Sequence, residues 1–426
     1  MRSRFLFLAI FLSLGLFQSI DAQLLYNRVG SLDTTLNGIG YVGISGGTTY
    51  PTRVKQLADR SIIVIGQSGN NIQVVKIRPD GTPDTAFGSG GFSTIPCSPC
   101  LMKDLVELPD AKLLLAGETN FMQPQQPSDL LLARLNANGS LDTTFGTNGF
   151  VQHDLPVGSG QFSDEHIGEI ALLPNGSIIA AGMTSVSTDH INKQSNGLII
   201  KFLPDGSLDS SFGSGGFVRT IMGDEPTQNA QSFANIATFS NGRIAVAFSA
   251  VVRNPNEPTS FIQKAVLTKY LGDGQGDTSF GTRTFDNNII YDIAATSDDG
   301  TMALLQGNLQ KFGTDGQLDT AFGTAGVVSF PQNSRPNFIS IQPSGKFYVS
   351  GFKIVPEGNW NPGEIFRFWA NGQRDLRFGR SGATLVNINH QNIYLGPTFI
   401  EANGSIALTG TLVPNNVVYI RLKIQK

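Results

Sequence analysis

The chain has 426 residues, a formal net charge of −3 and only 15% charged residues. This balance excludes a strongly basic surface of the kind that binds nucleic acid or an anionic membrane. The 49 glycines and 21 prolines separate many short apolar runs, a composition typical of a turn-rich β protein.

The N-terminus has the pattern of a secretory signal peptide. Arg2 and Arg4 precede an apolar run at Phe5–Phe17, and Ala22 offers a small residue for cleavage. The run is too short to span a bilayer. We therefore expect residues 1–22 to be removed and residues 23–426 to form a single domain with no transmembrane segment. The expected location is secreted: periplasm, cell surface or medium.

One motif recurs along the rest of the chain. Its clearest copy is LPDGSLDSSFGSGGFV at Leu203–Val218, where a turn ending in glycine is followed by aspartate, then Phe-Gly, then a glycine-led apolar run. Further copies begin at Arg78, Asn136, Leu271, Gly313 and Trp369, with a weaker one at Val29. Seven copies predict seven structural units.

Each unit also contains three more apolar runs, which in the third unit are Ile167–Leu173, Ser177–Gly182 and Leu198–Leu203. Short strands that are apolar along their whole length need cover on both faces of the sheet. Radial stacking of small sheets provides that cover. The sequence therefore predicts an all-β, seven-bladed β-propeller of four-stranded blades. We label the strands A to D from the axis outward, with the glycine-led run as D.

The two ends of the chain are predicted to share the seventh blade. Its A, B and C strands are expected at Tyr394–Ile400, Ser405–Gly410 and Val417–Ile424, and the run Gly40–Ser45 is available as the D strand. Pairing these segments closes the ring and removes an exposed sheet edge.

Two charged positions repeat around the motif. Bases precede the turn at Lys76, Arg134, Lys201, Lys269, Lys311, Arg367 and Arg421. Acids follow it at Asp33, Asp84, Asp142, Asp209, Asp277, Asp319 and Asp375. Because a binding site seldom needs seven copies, we interpret them as structural ion pairs with turn hydrogen bonds rather than a charged ring around a ligand.

An aromatic position repeats as well, and we interpret it as a buried wedge between blades rather than a ligand cage. It is occupied by Phe87, Phe145, Phe212, Phe280, Phe322 and Phe378.

The two cysteines, Cys97 and Cys100, fall in a predicted loop of an exported protein. This setting favours a loop-stiffening disulfide. Free thiols and metal or redox chemistry remain alternatives, although a zinc site would need further ligands nearby.

The motif resembles the tandem LDTTFG-like units of the delta-60 repeat family, exported bacterial proteins, and the resemblance covers nearly the whole mature chain. A looser resemblance links Ile170–Gly182 and Leu198–Gly206 to NHL-type propellers. The delta-60 resemblance implies export and a seven-bladed propeller. It implies no catalytic residues.

The long, irregular connections are expected on one face, formed by the B–C and D–A loops. Variable loops on a rigid scaffold are where binding sites usually lie. Candidate binding residues on this face are Asp164, Glu165, His166, Asp189, His190, Asp224, Glu225, Glu357 and Trp360.

The preferred hypothesis is a monomeric, non-catalytic binding, adhesion or scaffold module that takes a glycan or protein ligand. A secreted polysaccharide hydrolase or lyase with its site in the propeller funnel is the alternative, and a structural envelope protein is a third. No catalytic residue, metal site, cofactor or nucleic-acid partner is predicted.

Overall fold

In the computed structural model of the chain, the described residues are 32–34, 36, 39–44, 50–120, 126–159, 161–188, 194–224, 233–254, 256–257, 259–356, 360–400, 406–412 and 416–423. Within these ranges the regular structure is all β, with 28 strands. No helix in the same ranges has the length and apolar character needed to cross a membrane.

The strands form seven antiparallel sheets of four. Strand β1, which belongs to blade 7, is Tyr41–Ile44. Blade 1 contains β2–β5 at Tyr50–Gln56, Ile62–Ser68, Asn71–Ile77 and Phe92–Pro96. Blade 2 contains β6–β9 at Cys100–Glu107, Leu113–Thr119, Leu130–Leu135 and Phe150–His153. Blade 3 contains β10–β13 at Phe162–Leu172, Ile178–Ser187, Gln194–Phe202 and Phe217–Asp224. Blade 4 contains β14–β17 at Phe233–Thr238, Ile244–Arg253, Phe261–Tyr270 and Thr282–Asp286. Blade 5 contains β18–β21 at Ile290–Ala295, Thr301–Leu305, Asn308–Phe312 and Val327–Ser329. Blade 6 contains β22–β25 at Ser334–Ile341, Phe347–Lys353, Gly363–Phe368 and Ala383–Val386. Blade 7 contains β26–β28 at Ile393–Ile400, Ile406–Leu412 and Asn416–Leu422.

The first strand of each blade contacts the first strand of the next, from β2 through β6, β10, β14, β18 and β22 to β26. These A strands therefore form the inner ring, and the predicted seven-bladed β-propeller is confirmed. The B strand lies inside each sheet, and in blade 1 its residues Ile62–Ile65 are fully buried.

Blade 7 closes the ring as predicted from the sequence. Strand β1 pairs antiparallel with β28, with Tyr41 opposite Ile420. The Asp33 N–H donates to the Arg421 carbonyl at 2.8 Å, and the Arg421 guanidinium donates to the Pro79 carbonyl of blade 1. Leu36 and Tyr419 of blade 7 pack in one core with strands of blade 1.

The motif forms the connection between strands C and D. In each complete copy, the aspartate carboxylate accepts a hydrogen bond from the backbone N–H two residues later, as Asp142 does from Thr144 at 3.1 Å. Together with the Thr144 hydroxyl, Lys112 and Arg134, this bond holds the pKa of Asp142 well below its usual range. The motif base and aspartate form ion pairs at Lys76–Asp84 (3.6 Å), Arg134–Asp142 (2.7 Å), Lys201–Asp209 (3.0 Å), Lys311–Asp319 (2.9 Å) and Arg367–Asp375 (3.0 Å).

Blade 4 departs from this pattern, and the expected ion pair between Lys269 and Asp277 is replaced by another. Asp277 pairs with Arg243 of strand B at 3.0 Å, and Lys269 instead donates to the Asp299 carbonyl at 2.7 Å. Lys269 also lies over the rings of Phe239 and Phe280. Arg243 thus replaces Lys269 as the partner of Asp277. Lys269 is bonded instead to the turn of blade 5 that contains Asp299.

The motif phenylalanines occupy the interfaces between blades, and all six are at most 1% exposed. The turn glycine of the following blade accommodates the ring. Gly206 has a φ of +86°, and a Cβ on it would lie 2.5 Å from the Phe145 ring. Leu36 takes the aromatic position in the weak N-terminal copy and approaches Gly81 in the same way.

Candidate functional site

The B–C and D–A connections lie on one face of the ring because successive strands in each blade alternate in direction; we call this the loop-rich face. Several connections are shorter than the sequence indicates. Asp164, Glu165 and His166, expected in a loop, lie on inner strand β10, which begins at Phe162. Strand β11 likewise continues to Ser187. Side chains of 162–166 alternate between exposed and buried, which is the periodicity of a strand.

A cluster of charged side chains lies on the propeller axis, and we call it the axial cluster. Its members sit on the inner strands of four blades: Arg53, Lys55, Asp104, Glu169 and Asp292. Asp104 is fully buried and pairs with Arg53 at 2.9 Å and Lys55 at 2.8 Å. Arg53 of blade 1 also reaches the Gly168 carbonyl of blade 3 at 3.1 Å. A contact between blades 1 and 3 crosses past blade 2, which places this group at the axis.

The axial carboxylates also bind the backbone of another blade. Asp104 accepts from the Ile170 N–H at 2.9 Å, Glu169 from Ile236 at 3.0 Å, and Asp292 from Ile339 at 2.7 Å. In each case the acceptor and donor belong to neighbouring blades. These side chains therefore tie the inner strands together.

Burial shifts the titration of this cluster. Burial raises the pKa of Asp292 to about 8, and the nearby charge of Glu169 adds to the rise. Burial also raises the pKa of Glu169. Burial lowers the pKa of Arg53, but the three axial carboxylates raise it by more. The raised carboxylate pKa values reduce the negative charge that the buried cluster carries.

A second group of carboxylates, Asp129, Asp154 and Glu165, meets where blades 2 and 3 adjoin on the loop-rich face; we call it the acidic cluster. One oxygen of each lies within 4.8 Å of the others. Asp129 immediately precedes β8, Asp154 immediately follows β9, and Glu165 is on β10. Pairing of β8 with β9 brings the two aspartates together, since their neighbours Leu130 and His153 are directly opposite.

Glu165 is fully buried, and burial raises its pKa to about 7. Its Oε1 lies 3.4 Å from the Thr184 hydroxyl and 3.9 Å from Arg219 Nη2. Its Oε2 accepts no hydrogen bond from the described residues. Burial, together with Asp154 and Asp164, also raises the pKa of Asp129, opposed by a hydrogen bond from Gln152.

His166 extends from the same strand to the neighbouring blade. Its Nδ1 lies 2.7 Å from Glu118 Oε2, and Lys103 Nζ lies 3.6 Å from Glu118 Oε1. Burial lowers the pKa of His166, but the hydrogen bond and charge of Glu118 raise it by more. The imidazole is 46% exposed, whereas the Glu118 side chain is buried, so only the His166 end of the pair meets solvent.

Aromatic side chains gather on the loop-rich face of blades 6 and 7; Phe352, Trp360, His390 and Tyr394 form what we call the aromatic patch. The Trp360 and His390 rings meet edge-on at 5.2 Å, and the Phe352 and Tyr394 rings at 4.8 Å. His390 is exposed, Tyr394 is 39% exposed, and Trp360 is half-buried.

Asn361 fixes the two connections that carry this patch. Its N–H donates to the Asn392 side-chain oxygen at 2.6 Å, and its carbonyl accepts from the Ile393 N–H at 2.9 Å. Its own side-chain oxygen accepts from the Val355 N–H at 3.2 Å. The B–C connection of blade 6 and the D–A connection into blade 7 are thus held against one another.

A cavity of about 280 Å³ lies on the loop-rich face between blades 5 and 6. Its lining includes Tyr291, Gln306, Phe330, Pro331, Arg335 and Pro336. Arg335 is directly opposite Phe352 in the register of β22 and β23, but Phe352 packs on Tyr394 of blade 7, so the cavity and the aromatic patch lie at two different interfaces of blade 6. Its size is near the lower limit of small-molecule pockets.

The remaining candidate residues are placed as follows. Asp189, His190, Glu225 and Glu357 lie outside the described residues, as do the predicted signal peptide and its cleavage site. Asp224 ends strand β13, and only its backbone is described. Cys97 and Cys100 form a disulfide in the D–A connection from blade 1 to blade 2, on the loop-rich face.

Sequence reasoning missed the axial cluster, Asp129 and Asp154. A signal for the axial cluster exists: an acid precedes an apolar pair in the inner strands as Asp104-Leu-Val, Glu169-Ile-Ala and Asp292-Ile-Ala. A charge embedded at the same place in several apolar strands indicates a shared internal position. Asp129 and Asp154 have no comparable signal, because only strand pairing brings them together.

Three stretches of the chain, residues 57–87, 108–145 and 173–212, match the family model described as a domain of unknown function (DUF5122) beta-propeller. Each stretch starts at the A–B turn of blade 1, 2 or 3 and ends at the motif phenylalanine. The match therefore supports a propeller family. No curated protein gives a significant match to the chain.

Several solved structures are similar over most of their length. The virginiamycin B lyase from Staphylococcus aureus has 12% identity and a TM-score of 0.47, covering 90% of this chain and 98% of that chain. Polysaccharide lyase Uly1 has 9% identity and a TM-score of 0.49, covering 89% and 92%. The α-L-arabinanase of Penicillium chrysogenum, complexed with arabinobiose, has 11% identity and a TM-score of 0.41, covering 90% and 98%. Likenesses this distant assign no function.

Proposed function

We propose that the chain is an exported, non-catalytic binding module that recognises a glycan through the loop-rich face of blades 5 to 7. The observation that carries this proposal is the exposed aromatic patch on blades 6 and 7, and the cavity at the next blade interface offers polar groups to a longer oligosaccharide. Aromatic side chains offer a large apolar surface at little cost in conformational entropy, and a sugar ring presents an apolar C–H face to such a surface. Arg335 and Gln306 at the cavity can hydrogen-bond the hydroxyl edge of the ring.

The chemistry around the patch supports binding without turnover. Among the described residues of the patch and the cavity lining, none is a carboxylate. Most glycoside hydrolases need two carboxyl groups at the scissile bond. The acidic cluster does not fit that role, because Glu165 is fully buried.

The two tryptophans make the proposal testable by fluorescence. Trp360 is in the patch, whereas Trp369 lies between strands C and D, on the opposite face. In a Trp369→Phe variant, emission comes from Trp360 alone. We expect saturable quenching by one class of neutral oligosaccharide in a panel of hexose and pentose oligomers.

Trp360→Ala should weaken that binding at least tenfold in calorimetric titration, because it removes the ring of the patch. Trp369→Ala is the matched control and should bind like the parent chain. Equal binding by Trp360→Ala would contradict the assignment of the patch. A panel with no binding would contradict the glycan and favour a protein ligand or a structural envelope role.

A polysaccharide lyase is the second candidate, and it depends on the half-exposed His166 bonded to Glu118. Such a pair could act as a general base in its neutral form, since the carboxylate orients the imidazole and makes it more basic. Incubation with uronate-containing polysaccharides would then produce an unsaturated sugar detectable by its ultraviolet absorbance. Loss of that product in His166→Ala would establish the lyase; no product from the parent chain would eliminate it for those substrates.

Export is proposed from the N-terminal charge and apolar pattern and from the Cys97–Cys100 disulfide, which suits an oxidising compartment. Protein recovered from outside the cytoplasm should begin at Gln23 on N-terminal sequencing. An intact Met1 on that protein would contradict the predicted cleavage.

A further inference from the structure

The acidic cluster has a fixed framework around it. The Asp129 N–H donates to the Thr119 hydroxyl at 3.0 Å, and its carbonyl accepts from the Thr119 N–H at 2.9 Å. One residue earlier, the Ser128 carbonyl accepts from the Glu165 N–H at 2.8 Å, which joins blade 2 to blade 3. Backbone bonds therefore hold Asp129 and Glu165 in place at the junction of the two blades.

The buried carboxylate of this cluster has one oxygen without a hydrogen-bond partner among the described residues. Glu165 is 0% exposed, and its Oε2 accepts no hydrogen bond from any described residue. A buried carboxylate oxygen that lacks a partner is costly, and native proteins usually satisfy such groups with a hydrogen bond or a metal ion. This observation is independent of the closeness of the three acids.

The charges in the cluster correspond to a divalent ion. Arg219 lies 3.9 Å from Glu165 Oε1, and its Nη1 is held by the Pro156 carbonyl at 2.9 Å. With Glu165 ionised, as cation binding would require, three carboxylates beside one guanidinium leave two negative charges uncompensated. One divalent cation would neutralise them.

We propose that Asp129, Asp154 and Glu165 bind a divalent cation, and that the cation is calcium. All-oxygen donor sets suit hard cations rather than zinc or copper. Two oxygens bound to one calcium at 2.3–2.6 Å can be up to about 5 Å apart, against about 4.2 Å for magnesium. The oxygens of the cluster lie within 4.8 Å of one another, which is inside the limit for calcium without movement of the backbone.

The cation would connect the loop-rich ends of two blades. Asp129 and Asp154 belong to blade 2 connections, and Glu165 to the inner strand of blade 3. The site is separate from the aromatic patch on blades 6 and 7. The cation proposal therefore stands or falls independently of glycan binding.

The test uses the mature chain, residues 23–426, stripped with EDTA and exchanged into chelator-free buffer of constant ionic strength. Calorimetric titration with calcium chloride should show one ion per chain, and the melting temperature should rise with added calcium. Magnesium chloride should bind at least tenfold more weakly. Equal binding of magnesium would overturn the assignment to calcium.

Three variants locate the ion. Glu165→Gln preserves the side-chain volume and should abolish binding, and Asp154→Asn, at an exposed position, should weaken it at least tenfold. Asp286→Asn is the matched control, since Asp286 ends the D strand of blade 4 on the same face. It should bind calcium like the parent chain.

Cooperative melting of each variant without calcium separates loss of the site from loss of the fold. If Glu165→Gln does not fold, Asp154→Asn decides. No calorimetric signal from the parent chain, or unchanged affinity in the folded variants, would overturn the proposal.

Discussion

Asp292 shows how the interior of the ring alters a single residue. It lies near Glu169 and Arg53 across the axis, in the cluster that also contains Asp104 and Lys55. Burial is the main reason that its pKa rises to about 8. Near neutral pH the folded protein therefore retains a proton that an unfolded aspartate, with a pKa of about 3.9, has lost.

This retained proton makes the stability of the fold depend on pH. Between about pH 4 and pH 8 the native state binds more protons at Asp292 than the unfolded state does, so stability falls as pH rises, at up to about 1.4 kcal/mol per pH unit. Glu169 and Glu165 have raised pKa values and act in the same direction. Asp292→Asn mimics the neutral acid and should reduce the slope.

Urea unfolding at pH 6, 7 and 8 checks this expectation. The matched control is Asp298→Asn, since hydrogen bonds from Lys311 and Thr296 overcome burial and hold the pKa of Asp298 at about 2, far below this range. It should leave the slope unchanged. Parallel pH profiles for Asp292→Asn and the parent chain would show that Asp292 is ionised throughout.

At the scale of elements, the motif connections explain why so much of the fold can be predicted from the sequence. The spacing of turn glycine, aspartate and Phe-Gly appears in each local stretch, and each member has a local role. Asp142 caps its turn through Thr144, and Phe145 packs against Gly206 of the next blade. Because the same contacts recur, counting the motif copies predicts the number of blades.

The candidate site was less predictable, for two physical reasons. The apolar pattern predicts a strand only where both faces of the sheet are buried. Where the end of a strand is not covered on both faces, its residues are no longer all apolar and the pattern misses them. Residues 162–166 of β10 alternate in burial there, and a short mixed stretch of that kind also suits a loop. The acidic cluster depends on the pairing of β8 with β9 and on the packing of blade 3, which no local pattern encodes.

At the scale of the whole molecule, the ring depends on a strand supplied by the N-terminal segment. In other blades, strand C reaches strand D through a turn that sets a six-residue spacing, as in the bridge from Phe202 to Leu208. The seam contains the same bridge between Leu422 and Leu32, which are far apart in sequence. The N-terminal copy of the motif thus has the place in blade 7 that the motif between strands C and D has in every other blade.

A chain that begins at Gly46 should lose this closure. It lacks β1 and Leu36, and burial of one leucine side chain contributes about 1.5–3 kcal/mol. It also leaves the edge of β28 exposed, which favours association between chains. We expect a lower melting temperature and aggregation in size-exclusion chromatography, compared with the chain that begins at Gln23.

A circular permutant separates loss of the strand from loss of chain length. In this variant, Leu422 is joined to Leu32 through the five residues that blade 3 uses, Leu203–Ser207, and the new N-terminus is at Gly46. The seam then has the same six-residue spacing as the other blades. Since every strand keeps its partner, the permutant should regain the melting temperature and monodispersity of the parent chain. If truncated and parent chains melt alike, β1 contributes nothing to closure; if the permutant melts like the truncated chain, the seam needs more than its strand register.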